Sequence, residues 1–280
     1  MKHDPGVGAT DELNLRVSVA TLARVVFTHP GKEEQILALE RKATFLEQEQ
    51  RVIVKAQPFG GAIRINDVPL LNEITGGFHF DSERSRAEQD FRIFIRTSTW
   101  DAVKVFCLEQ FQASEEAALE TSPIRELAEE FEDSLRVQLR PDQYVYKPLW
   151  TVVENDPSPT ANIHVEQQPT VRVYRVFEMQ IIAPELWQHI TRNSESCSNQ
   201  SLQDRALEDK QAGGPGRANA CMVVPLESLY RFYASRSLEQ RNAAAFFMET
   251  SLEKNSIALL EGIPTTQFQY IKAGEITGDK

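Results

Sequence analysis

The segment Ser122 to Leu135 (SPIRELAEEFEDSL) gathers the side chains of this sequence best suited to chemistry. Serine followed by proline predicts a helix start, because the hydroxyl can accept from an unpaired backbone N–H and proline suits the first turn. At about 100° per residue, Ile124, Leu127, Ala128, Phe131 and Leu135 form an apolar stripe, whereas Glu126, Glu129, Glu130 and Asp133 fall within an arc of about 100° on the other side. Four carboxylates are thus expected on the outside of a helix whose other face is buried. Oxygen donors spaced i, i+3, i+4 suit a hard divalent cation such as Mg²⁺ or Mn²⁺, which keeps coordination positions for water and substrate phosphate. The plainer expectation is a solvated acidic face, with Glu126 and Glu130 repelling mildly at i, i+4.

The run Arg125 to Glu130 reads R-E-L-A-E-E and resembles the second half of the Nudix box, G-x5-E-x7-R-E-U-x-E-E-x-G-U with U aliphatic. The resemblance implies a mixed sheet covered by helices in an α/β/α sandwich, and Mg²⁺- or Mn²⁺-dependent hydrolysis of a nucleoside diphosphate linked to another moiety. It implies Glu126, Glu129 and Glu130 as metal ligands, Glu129 and Glu130 as the catalytic pair, and Arg125 as the brace of their helix. The first half of the pattern is absent from the adjoining sequence. Its glutamate falls on Ala117, with Glu116 one step away, no glycine precedes it, and the closing pair is Glu132 and Asp133. An alternative is therefore a non-hydrolytic domain of this or another α/β type that binds a nucleotide-like ligand or a protein partner.

Other signals are weaker. Gly213, Gly214, Pro215, Gly216 and Arg217 could present backbone N–H groups to an anion, although such clusters are commonly plain loops. Phe59, Gly60, Gly61 and Arg64 read as a hairpin turn with Arg64 outward. Glu154 and Glu178, on predicted strands, are candidates for an additional acid or base. Arg84, Arg86, Arg92 and Arg96 could meet a phosphate or pair with the acidic helix. His29, His79, His164 and His189 have no partner at metal-ligand spacing, so zinc is not expected.

The elements that must position these residues follow from periodicity. A helix is expected from Gly31 through the charged run to Arg51, strands at Val52–Lys55 and Asp90–Arg96, and a helix through WDAVKVFCLEQF from Trp100. A strand from Tyr144 to Glu154, interrupted at Pro148, a turn at Asp156 to Pro159, and a long strand from Val171 to Ile182 come next. Residues 191–218 form a polar surface loop, Cys221–Leu226 a short strand, and Glu227–Leu260 one long helix or two. The class is α/β or α+β, with additional N-terminal and C-terminal helices. Residues 1–14 and 273–280 are expected to be flexible tails around a single domain, 15–272, with a subdomain option at 15–85 and the Nudix-like part at 86–272.

Of 280 residues, 41% are hydrophobic and 25% charged, a composition of folded proteins. Forty-one acidic against thirty basic residues give a net charge of -11, which disfavours nucleic acid and anionic membrane as partners. No apolar run long enough for a membrane span occurs, and the expected address is cytoplasmic. Cys107, Cys197 and Cys221 lie far apart and are expected as thiols.

Overall fold

The structure, a computed structural model, describes residues 13–113, 118–159, 165, 168–228 and 268–272. In chain order the described strands are β1 (Leu15–Thr28), β2 (Gln35–Leu46), β3 (Arg51–Gln57), β4 (His79–Phe80), β5 (Arg92–Ile95), β6 (Tyr144–Pro159), β7 (Pro169–Ile181), β8 (Arg217–Pro225) and β9 (Phe268–Lys272). The helices are α1 (Val68–Thr75), α2 (Glu83–Glu88), α3 (Trp100–Gln112), α4 (Ile124–Leu135), α5 (Pro184–Ser196) and α6 (Asn199–Gln211). The strands form one mixed sheet with the path β3-β2-β1-β7-β6-β9, and the helices pack around it, so the class is α/β or α+β. No described helix is long and apolar enough to cross a membrane.

At the centre, β1 runs parallel to β7 from Arg16 to Val26. Its opposite edge is shared by three partners: β5 opposite Leu15 to Ser18, the segment 59–62 through bridges at Ala20 and Ala23, and β2 opposite Val25 to Thr28. Side chains of β1 alternate, and its odd-numbered residues face one buried side. Leu15, Val17 and Val19 enter a core built with α1 and α3, whereas Ala23, Val25 and Phe27 enter a second core built with α4 and α5. The segment 59–62 crosses β1 where one core gives way to the other.

Residues 31–51 are not a helix. They belong to the antiparallel pair β2–β3, with Lys42 opposite Lys55 and Phe45 opposite Val52. Glutamate, lysine, arginine, leucine and alanine all favour helices, but β2 is buried over most of its length and β8 lies along it from Ile36 to Thr44. Burial of both faces overrides local propensity here. The polar stretch 191–218 likewise holds the end of α5, all of α6 and the start of β8. Each of the two helices needs only two fully buried residues, Leu186 and Ile190 in α5, Leu202 and Ala206 in α6, so the hydrophobic signal is faint. The expected strand irregularity at Pro148 is present as a register shift between Pro148 and Trp150, and β6 continues through the expected turn to Pro159 with a second shift. The expected terminal helix at Glu227–Leu260 and both tails fall almost wholly outside the described residues.

Candidate functional site

Helix α4 begins one residue later than the Ser-Pro signal suggests, with the Ser122 hydroxyl accepting from the Ile124 N–H at 3.3 Å. Leu127, Phe131 and Leu135 are buried in the second core as the stripe requires. From β7, Arg175 donates to the carbonyls of Phe111 at 2.9 Å and Thr121 at 3.0 Å, fixing the end of α3 and the approach to α4. The four carboxylates do not share one environment. Glu129 and Asp133 are exposed and Glu126 half-buried, but Glu130 is buried between α4 and the sheet. The expectation of four outward carboxylates is thus corrected, because the helix rests on the sheet along the side that carries Glu130.

Glu130 meets two groups from distant parts of the chain. The Gly60 N–H donates to its Oε2 at 2.5 Å, and the Lys42 ammonium lies 3.1 Å from its Oε1. Lys42 also pairs at 2.7 Å with Glu40, a fully buried carboxylate that accepts from Ser134 of α4 at 3.0 Å and from Gln57 at 3.1 Å. Two buried carboxylates thus share one ammonium. Burial acts to lower the Lys42 pKa, but Glu130 and Glu40 outweigh it and raise it. Burial first, and the charge of Glu40 second, push the Glu130 carboxyl well above its usual range against the pull of Lys42 and the Gly60 N–H. The trio is short of positive charge.

Arg125 organises the other carboxylates. Its guanidinium contacts Glu120 at 2.7 Å, Glu126 at 2.7 Å and Glu129 at 3.2 Å, and donates to the Ala62 carbonyl at 3.2 Å. Burial acts to lower its pKa, but Glu120 and Glu126 outweigh it and keep Arg125 firmly protonated. Burial raises the Glu126 pKa; Arg125 opposes this, whereas Glu129 and Asp90 add to it. The first-half glutamate position of the box, Ala117 with Glu116 beside it, lies outside the described residues.

The glycines at 60–61 are the residue pair that sequence reasoning misjudged. They form no hairpin turn: Thr21 donates to the Gly61 carbonyl and Ala23 to the Phe59 carbonyl, so the segment lies along β1 under the N-terminal half of α4. Gly60 has φ 138°, and a Cβ there would overlap the Thr21 carbonyl, while a Cβ on Gly61 would overlap the Glu126 carboxylate. Two adjacent glycines beside a strand were the available signal; the partner helix lies more than sixty residues later.

Around α4 opens a cleft of about 570 Å³, within the range of small-molecule sites. Its acidic wall carries Glu126, Glu129, Glu130 and Asp133; its basic side chains are Lys42, Arg84, Arg92, Arg136 and Arg217. Of the arginine cluster singled out by sequence, Arg84 and Arg92 reach this cleft, paired with Glu88 and Asp90. Arg86 pairs with Glu83 instead, and Arg96 donates to the Gly76 carbonyl at the end of α1. Glu154 is bound by Arg172 at 2.5 Å and Glu178 by Arg24 at 2.5 Å, and neither lines the cleft. His29 stacks edge-on against Trp187, and His189 contacts the Leu135 carbonyl.

No family model, curated protein or solved structure matches this chain. The site's chemistry therefore rests on its own geometry. Among the described residues, no three His, Cys, Asp or Glu side chains stand together as a ready ligand set, since Arg125 draws Glu126 and Glu129 while Lys42 and Gly60 hold Glu130. By donor type and by charge the carboxylates still suit a hard divalent cation: all are oxygen donors, and burial leaves Glu126 and Glu130 with raised pKa values that a further cation would relieve.

Proposed function

We propose that this protein is a Mg²⁺- or Mn²⁺-dependent, Nudix-like hydrolase of a nucleoside diphosphate linked to another moiety. The observation that carries the proposal is the contact of the Gly60–Gly61 pair with Glu126 and Glu130. The glycine of the box is missing from the sequence before R-E-L-A-E-E, yet a glycine pair from just beyond β3, laid along β1, packs on the same carboxylates. Glu126, Glu129 and Glu130 would hold the metal, which when bound supplies Lewis-acid polarisation and a more acidic water. The chain's own groups prepare the site. Arg125 ties the helix to the Ala62 carbonyl and orients Glu126 and Glu129, and the Gly60 N–H fixes one oxygen of Glu130. Arg84 and Arg92 in the cleft match the oxygens of a diphosphate.

One observation favours a second reading, binding of a phosphate-containing ligand without turnover: all three box glutamates already have cationic partners, Arg125 or Lys42. Incubating the protein with a panel of nucleoside diphosphate derivatives, with and without Mg²⁺ or Mn²⁺, separates the two. Under the hydrolase reading, mass spectrometry shows metal-dependent cleavage that falls by about a hundredfold or more in Glu130→Gln and in Glu129→Gln, a loss typical of disabling one catalytic group. Glu129 is the cleaner variant, its side chain being 59% exposed and free to change without disturbing the core. Saturable binding with no cleavage in any metal leaves the second reading.

A further inference from the structure

Five cationic side chains line the cleft, and three are committed: Lys42 to Glu40 and Glu130, Arg84 to Glu88, and Arg92 to Asp90. Arg136 and Arg217 differ. Among the described residues, neither guanidinium has an ion pair or a side-chain hydrogen bond, and both stand where the cleft meets a second hollow of about 220 Å³. The two cavities share Asp133, Arg136, Arg217, Ala218 and Asn219. Among the residues common to the two cavities the charged ones are Asp133, Arg136 and Arg217, a net positive set in a protein that as a whole is acidic.

Both arginines stand on backbone fixed by the fold. Arg136 caps the C-terminus of α4 with φ 57°, as Gln89 caps α2 with φ 56°. Its charge also complements the helix dipole. Arg217 follows the Gly213–Gly216 turn, whose N–H groups at Gly216 and Arg217 donate to the Asp209 carboxylate at 2.8 and 3.1 Å. The turn that sequence suggested as an anion cradle is filled by the protein's own Asp209. What it presents to the cleft is the Arg217 side chain.

We infer that Arg136 and Arg217 form an anion subsite for the distal part of the ligand, so that the ligand is a diphosphate whose second moiety carries its own phosphate or carboxylate. This rests on the proposed use of the cleft for a diphosphate, and it adds the second charge. Arginine's planar fork suits either anion, since both accept two parallel hydrogen bonds.

The test compares matched pairs by calorimetry, with EDTA and again with Ca²⁺: NADP⁺ against NAD⁺, which differ by one phosphate, and UDP-glucuronate against UDP-glucose, which differ by one carboxylate. The member with the extra anion in at least one pair should bind about tenfold tighter to the wild type, a preference worth one charge-assisted contact pair, and the favoured pair names the anion. In the double variant Arg136→Gln/Arg217→Gln that preference should vanish while the member lacking the extra anion binds as before. Glutamine already occupies positive φ at Gln50 and Gln89 in this chain, and both arginines are exposed, so the variant should melt with the wild type. Equal binding within both pairs, or a preference that survives in the double variant, overturns the subsite. Intact preference without cleavage in any metal overturns only the hydrolase. No binding of any of the four compounds overturns the subsite and the diphosphate cleft together.

Discussion

Two glycine-containing segments of this molecule each donate backbone N–H groups to a carboxylate of the same chain, and they do so for different ends. At Gly213–Gly216 the carboxylate is Asp209, a few residues back on α6, and two N–H groups saturate one of its oxygens. Everything needed for that turn is local. At Gly60–Gly61 the carboxylates come from α4, more than sixty residues later, and only one oxygen of Glu130 is taken by an N–H. The remaining oxygens face Lys42, Arg125 and the cleft. A locally satisfied turn fixes the path of the chain, whereas a glycine segment that leaves charge surplus in a cleft retains a capacity to bind.

That contrast can be broken experimentally, most forcefully at Gly60. Gly60→Ala should cost about 3 kcal/mol of stability by thermal melting, since a left-handed φ and overlap with a backbone carbonyl each cost on the order of 1–3 kcal/mol. Melting at the wild-type temperature would mean that the segment does not lie against Thr21. Gly61→Ala should cost about 1 kcal/mol, less than Gly60→Ala because it displaces only the end of the Glu126 side chain from Arg125, and Glu126→Ala in the same chain should restore part of it. Failure of that rescue would show that the glycine pair and the helix are not in contact. Asp209→Asn should cost about 1 kcal/mol, the worth of a weakened hydrogen-bond pair, and should speed hydrogen exchange at Gly216 and Arg217 without altering divalent-cation binding at α4. A carboxylate away from both segments sharpens the scale. Burial acts to raise the Glu178 pKa, but hydrogen bonds from Arg24 and Lys147 and their charges prevail and lower it. Its stabilising effect is therefore complete above the unfolded carboxylate pKa and is lost as pH falls through the lower folded value. Wild type should outlast Glu178→Gln at pH 7, with the gap closing in acid; a gap that is constant with pH would contradict the ion pair.

The sequence read well wherever a single element explains itself. The stripe Leu127, Phe131, Leu135 and the alternation Phe91, Ile93, Ile95 are buried as their spacing requires. It misled where charges are buried by remote partners. Glu40, Arg41 and Lys42 look like the exposed side of a helix, but Ser134 and Gln57 satisfy Glu40, and the Arg41 guanidinium donates to Asn199, to the Cys197 carbonyl and to the Cys221 carbonyl. No window of local sequence contains those acceptors. The acidic helix itself was legible, and its division into one buried and three more open carboxylates was not, because that depends on which side of α4 lies against β2. The same holds for the Gly60–Gly61 pair, whose partner is set by topology rather than by spacing.

The parallel pairing of β1 with β7 bears on how the chain assembles. Arg16 pairs with Thr170, more than half the chain later, so during synthesis the central strand must wait with one edge bare while β2 and β3 can close beside it. Contacts this remote slow folding and prolong exposure of unpaired backbone. The chain should therefore gain its hairpin early and its central pairing late, and intermediates lacking residues 169–181 should be the species most prone to aggregate.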